Sequence, residues 1–138
     1  MSELGRVLAL DYGEKRIGLA LSDPLRIFAK PLMVLPNNGL DSSIAEIRKL
    51  LQEHKVSLVL IGMPYAIDGS DTPKTAETKD FAMQMANALS VPVQTYDERY
   101  STCEADAELK KMGYSWQEAR KVIDAMAACI FLKEFLLN

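Results

Sequence analysis

The chain has 138 residues, 49% of them apolar and 25% charged, which fills one core well and leaves little for a second domain. Its formal charge of −3 argues against the broad basic face of a tight, nonspecific nucleic-acid binder, though it leaves room for a local basic rim around an acidic site. The single histidine, His54, sits in the polar stretch Gln52-Glu53-His54-Lys55, and Cys103 and Cys129 form no CxxC pair, so histidine triads and zinc sites fit poorly and two reduced thiols are expected. Residues 1–6 carry no signal-peptide pattern, and no apolar run reaches the roughly eighteen residues of a membrane span. A cytoplasmic protein with no membrane partner is the expectation.

Arg6 to Asp11 is a short apolar run ending in an acid, as in a central strand. Tyr12-Gly13 and the polar turn Glu14-Lys15-Arg16 lead into a second strand over Ile17 to Leu21, giving an antiparallel hairpin. Ile27 to Leu35 predicts a third strand, and Pro31 within it argues for an edge position or a bulge. After the loop Pro36-Asn37-Asn38-Gly39, Ser43-x-x-Glu46 reads as a capping box, with Ile44, Ile47, Leu50 and Leu51 forming the apolar stripe of a first helix. The continuous apolar run Leu58-Val59-Leu60-Ile61 predicts a strand buried on both faces and parallel to its neighbour.

A polar loop from Gly62 to Thr72 follows, and Thr72-Pro73 supplies an N-cap with proline at the first helical position. Ala76, Phe81, Met85 and Leu89 are apolar positions of that second helix, and Val91 to Tyr96 is a fifth strand. Ser101-x-x-Glu104 opens a short helix that stops at Gly113, and Ser115-x-x-Glu118 opens a last helix through Leu137. The order β-β-β-α-β-α-β-α-α requires a mixed five-stranded sheet flanked by helices, an α/β fold. The methionines and Trp116 read as core or packing residues.

Three acids stand out. Asp124 is the only charged side chain between Val122 and Leu132, and a carboxylate there costs roughly several kcal/mol of desolvation unless it is partnered. Asp11 ends the first apolar run, and Glu98 follows the last strand. Carboxylates at the edges of buried elements, far apart in sequence, suggest one assembled site for hard divalent cations, which take oxygen ligands. Each has a plainer reading: Asp11 as part of an ordinary hairpin, Glu98 as a helix-start residue, Asp124 as a hydrogen-bonding partner inside a helix. Lys15 and Arg16 place two cations near Asp11, and Arg99 places one beside Glu98 where a helix begins; all three suit phosphate oxygens. Asp68-Gly69 by itself reads as a turn.

Leu10-Asp11-Tyr12-Gly13-Glu14-Lys15-Arg16-Ile17-Gly18-Leu19-Ala20 resembles the opening motif of the YqgF/RuvX-like family. The resemblance continues through Ile61-Gly62-Met63-Pro64, Asp68-Gly69-Ser70, Asp97-Glu98-Arg99-Tyr100-Ser101-Thr102-Cys103-Glu104-Ala105 and Asp124-Ala125-Met126-Ala127-Ala128, spanning nearly the whole chain. It implies a single ribonuclease H-like nuclease domain over residues 1–138, with Asp11, Glu98 and Asp124 as the catalytic acids. Met63 and Tyr65 stand where leucines are common, Tyr100 where leucine is usual, and Cys103 is atypical; the three acids are intact.

The resemblance and the carboxylate pattern together lead to hydrolysis of a phosphodiester with Mg²⁺ or Mn²⁺ held by Asp11, Glu98 and Asp124, and with Lys15, Arg16 and Arg99 on the substrate backbone. The family implies 5′-end processing of pre-16S ribosomal RNA, or alternatively Holliday junction resolution on branched DNA, which needs a homodimer to cut two strands symmetrically. A catalytically silent nucleic-acid-binding domain is a further alternative, opposed by the presence of all three acids. Nucleotide-dependent phosphotransfer, suggested by the Asp-x-Gly hairpin of actin-like and sugar-kinase folds, needs a second domain that this length does not supply.

Overall fold

The computed structural model describes residues 5–98, 111, 113 and 116–137, the side chains of 116–121 excepted. Its elements are β1 (Arg6–Tyr12), β2 (Arg16–Ser22), β3 (Ala29–Pro36), α1 (Leu40–Glu53), β4 (Val56–Met63), α2 (Pro73–Ala88), β5 (Val93–Asp97) and α3 (Trp116–Leu137). They form the ribonuclease H-like arrangement expected from the sequence: a five-stranded sheet in the order β3-β2-β1-β4-β5, antiparallel across β3-β2-β1 and parallel across β1-β4-β5. The short helix expected from Ser101 lies outside the described residues, as does the Ser115 cap.

The strand alternation of period two assigns each residue of β1 to a face. Leu8 and Leu10 join Ile17, Leu19, Ile61 and Met63 beneath α1 and α2. Val7 and Ala9 join Ala20 and Leu60 beneath Ala128, Phe131 and Leu132 of α3. Each such fully buried leucine contributes about 1.5–3 kcal/mol. Continuing the alternation, Asp11 falls on the α3 face. That face is lined by small residues, Ala9, Gly18 and Ala20, so α3 lies close on the sheet.

The third strand is an edge strand, as Pro31 argues, and it also carries the bulge: the register slips between Leu19, opposite Met33, and Ala20, opposite Pro31. Ile27 and Phe28 do not belong to it, because the Asp23 carboxylate accepts both of their backbone N–H groups at 2.7 Å and holds them in the turn. The first helix starts three residues before the expected cap. Gly39 is its N-cap at φ 105°, and Ser43 lies inside the helix, its N–H on the Gly39 carbonyl and its hydroxyl buried. Asn37 explains the early start, since its amide donates to the Gly13 carbonyl and its side-chain oxygen accepts from Gly39 N–H.

The second helix begins as the sequence predicts, but Thr75 rather than an acid completes the capping box. Thr75 and Thr78 are buried on its inner face with Phe81 and Met85, whereas Ala76 is exposed. Met63 and Met85 are core residues; Met33 and Met83 are exposed, contrary to the packing role expected of them. Cys129 is a free, buried thiol.

Candidate active site

Asp11 stands at the carboxyl end of the central strand and is buried, its Cα paired with that of Gly18 on β2. Gly18 is the seat of α3. A Cβ built there would lie 2.6 Å from Ala125 N and nearer still to the Asp124 carbonyl, so only glycine lets the helix backbone come down at this point. The register between Asp11 and Gly18 and the contact between Gly18 and Asp124 together bring Asp124 beside Asp11.

Glu98 arrives from the other side. Its N–H donates to the Met63 carbonyl at 3.1 Å, prolonging the β4–β5 ladder by one step. Its carboxyl turns inward over Gly62, where a Cβ would meet Glu98 Oε2 at 2.5 Å and the Phe131 ring at 2.8 Å. Glycines at 18 and 62 thus make the space into which the acids fit.

Burial raises the Asp11 carboxyl to about 6, against the lowering effects of the Lys74 ammonium and a hydrogen bond with Glu98 and with a further raising effect of the Asp124 charge. Burial also raises Glu98 to about 10, reinforced by the Asp11 charge and the hydrogen bond to it, while Lys74 again opposes. Both carboxyls are thus pushed above the ordinary carboxylate range, and the pair is disposed to share a proton, because two like charges so close and so dry do not readily both ionise. Glu98 Oε2 is buried without a hydrogen-bond partner.

Asp124 is half-buried rather than sealed in the core, and it faces Arg16, with Nε 3.4 Å from Oδ2. Arg16 thus reaches one of the acids themselves. Lys15 is exposed on the hairpin turn, and Arg99 lies outside the described residues. Among the described residues no three acidic, histidine or cysteine side chains are gathered closely enough to hold a metal ion as they stand.

The residue that sequence reasoning passed over is Lys74, in the first turn of α2. Thr75 Oγ1 donates to the Pro64 carbonyl at 2.9 Å, tying the start of α2 to the end of β4 next to the carbonyl that holds Glu98. The available signal was the helix start after a loop leaving the carboxyl end of a core strand, where ligands of α/β sheets gather. A cation in a helix first turn otherwise reads as solvated surface.

The comparisons with known proteins bear on the family and the fold. The profile of the RuvX family, described as Holliday junction resolvase, matches residues 5–138. A protein of Maridesulfovibrio salexigens named "Putative pre-16S rRNA nuclease" is 37% identical over 131 residues, covering 95% of this chain and 97% of its own. One of the same name from Anaeromyxobacter sp. is 39% identical over 131 residues, covering 95% and 96%. Among solved structures, T. thermophilus RuvC in complex with a Holliday junction substrate superposes with a TM-score of 0.57 at 18% identity, covering 96% of this chain and 93% of that one. The Fowlpox virus resolvase, in complex with its Holliday junction DNA, gives 0.55 at 12% identity, covering 96% and 99%. With its fold shared by these resolvases and its sequence matched almost from end to end, the chain belongs to the RuvX family.

Proposed function

We propose that this chain is a metal-dependent nuclease of precursor 16S ribosomal RNA, with Asp11, Glu98 and Asp124 as its catalytic acids. Its family is one of enzymes that hydrolyse phosphodiester bonds of nucleic acid. The observation that carries the assignment of the site is the buried Asp11–Glu98 pair, which is disposed to share a proton and leaves Glu98 Oε2 with no partner. An all-oxygen donor set suits Mg²⁺ or Mn²⁺, and a cation would satisfy the orphaned oxygen and take the place of a shared proton. When bound, such an ion lowers the pKa of a coordinated water and offsets charge on the leaving oxygen.

The protein's own groups do the rest. The dry walls formed by Gly62 and Phe131 keep the Glu98 carboxyl aimed inward, where it would hold a cation. Arg16 shields Asp124 until a phosphate competes for the guanidinium, which grips phosphate in a two-pronged bond. Lys74 lends positive charge to the acid pair, and Arg99, the next residue in sequence after Glu98, is assigned to the substrate backbone. The relatives' names favour RNA; the family description favours a four-way DNA junction, which would need two copies of the chain to cut symmetrically.

Incubating the protein with a pre-16S ribosomal RNA fragment and with a four-way DNA junction, each with Mn²⁺ or EDTA, separates these. Mn²⁺-dependent cleavage of the RNA, abolished in Glu98→Gln, is the expected result. Cleavage of the junction alone would transfer the activity to DNA, and cleavage unaffected by EDTA or by Glu98→Gln would refute the site.

A further inference from the structure

The turn between β1 and β2, which carries Lys15 and Arg16, is pinned from outside itself. Glu14, Lys15 and Arg16 are exposed, and Gly13 is folded so far onto the turn that a Cβ there would lie 2.5 Å from the Arg16 carbonyl oxygen. The pin is Asn37, the first residue after β3. Its backbone N–H donates to the Lys15 carbonyl at 2.9 Å, one step beyond the pairing of Arg16 with Pro36. Its side-chain amide donates to the Gly13 carbonyl, also at 2.9 Å. One residue thus holds the carbonyls on either side of Glu14.

Arg16 is the part of this turn that meets the candidate site. It lies two residues before Gly18 on β2 and so shares the face on which α3 is seated. Its Nε reaches Asp124 Oδ2 at 3.4 Å, yet its side chain is 54% exposed and open to a phosphate as well. A side chain so long and so exposed gives up rotamer freedom when its planar fork grips a ligand, so a fixed backbone beneath it matters.

Resting on the nuclease reading above, we propose that Asn37 is a positioning residue for the substrate backbone: by clamping the turn it sets the direction from which Arg16 meets a phosphate beside Asp124. Asn37 also serves the start of α1, where its side-chain oxygen accepts the Gly39 N–H at 3.2 Å. The two roles use opposite ends of one amide and can be separated. Gly39 has φ 105° with open space around it, so alanine there strains the helix start and touches nothing in the turn. Conversely, serine at position 37 can still accept from Gly39 N–H but is too short to reach Gly13.

The test compares Asn37→Ala, Asn37→Ser, Gly39→Ala, Arg16→Ala and the double variant Asn37→Ala/Arg16→Ala. Without nucleic acid, the Arg16 Nε–H resonance in a ¹H–¹⁵N NMR spectrum reports the guanidinium directly. It should shift or broaden in both Asn37 variants and stay in place in Gly39→Ala. Binding of an end-labelled, single-stranded oligoribonucleotide with Ca²⁺ over a range of salt reports the phosphate contact. Asn37→Ala and Asn37→Ser are expected to weaken binding about two- to tenfold, the range of one lost hydrogen bond. Their salt slope should move toward that of Arg16→Ala, itself lower by about 0.7, and with Mn²⁺ they should raise KM more than they lower kcat. The double variant should bind as Arg16→Ala does, because the clamp acts through Arg16. Gly39→Ala should lower the melting temperature and keep wild-type binding. An unmoved Arg16 resonance in the Asn37 variants, a Gly39→Ala protein that reproduces the loss of binding, or losses that add in the double variant overturns the positioning role while the nuclease reading stands. A wild-type protein that neither binds nor cuts RNA overturns both.

Discussion

Replacing Gly18 by alanine tests whether the seat of α3 sets the site. The added methyl would lie 2.6 Å from Ala125 N, whereas ordinary van der Waals contact begins at 3.4 Å. The obstacle is helix backbone, which has no rotamer with which to yield, so α3 must withdraw by more than the roughly 0.8 Å that the Ala125 contact alone demands, the Asp124 carbonyl being nearer still, or tilt about its well-packed far half. Overpacking of this kind costs about 1–3 kcal/mol, read as roughly 3–5 °C of melting temperature per kcal/mol in a chain of this size. The effect on catalysis should be larger in proportion, because Asp124 rides on the displaced turn and a misplacement near 1 Å can cost about a hundredfold in rate. Urea unfolding with and without Mn²⁺, alongside Mn²⁺-dependent cleavage, measures both. Gly62→Ala is the comparison: its methyl meets the buried Glu98 carboxyl and the Phe131 ring rather than helix backbone, and should disturb the metal response along with the fold. A Gly18→Ala protein with wild-type stability and cleavage would refute the argument, and lost stability with intact cleavage would detach the position of Asp124 from Gly18.

Further outcomes follow from the same geometry. Asp11 and Glu98 hold their protons more tightly in the folded chain than at their ordinary values of 3.8 and 4.5, so the EDTA-treated protein should be most stable near pH 4 and lose stability as pH rises through about 6 and on toward about 10. Glu98→Gln should flatten that slope, and a melting temperature that climbs with pH in EDTA would contradict the shared proton. Asp124→Asn should abolish cleavage while changing stability by less than about 1 kcal/mol, since it gives up only one half-exposed ion pair with Arg16; a large loss in calorimetry would make Asp124 structural. Lys74→Ala should tighten Mn²⁺ binding, by removing a competing charge, and weaken oligonucleotide binding, with the salt slope reduced by about 0.7–0.9; both affinities falling together would place Lys74 in the scaffold.

Much of this architecture was legible because the signals are local. The run Val7 to Leu10, the polar turn and Ile17 to Leu21 encode a hairpin in adjacent residues, and the unbroken run Leu58 to Ile61 marks a strand buried on both sides. Thr72-Pro73 states its helix start outright. The misses are places where a distant group decides. Ser43 has the sequence of a cap, but Asn37, bonded to Gly13 across the sheet, starts the helix earlier. Ile27 and Phe28 have strand-forming side chains, but the Asp23 carboxylate claims their N–H groups. In the site, Asp11, Glu98 and Asp124 announce themselves as acids against apolar neighbours, whereas Lys74 carries no such contrast, and its place near the pair depends on the Thr75–Pro64 bond. That Arg16 faces Asp124 needs the register of β1 on β2 and the seat of α3 on Gly18, neither of which is written in any one segment.

The seating of α3 on β1 and β2 has a consequence for biosynthesis. Asp11 lies in, and Glu98 directly follows, strands that can pair while the chain is still growing, but Asp124 emerges later, on the helix that covers the earliest strands. At elongation rates of roughly 5–20 residues per second the first and last acids are separated by on the order of ten seconds. Only over the last part of that interval, from Glu98 to Asp124 and on the order of a few seconds, can a nascent chain hold two of the proposed ligands and not the third. A nuclease assembled in this order is disarmed while its own message is being read, and gains its cutting edge only once α3 has docked.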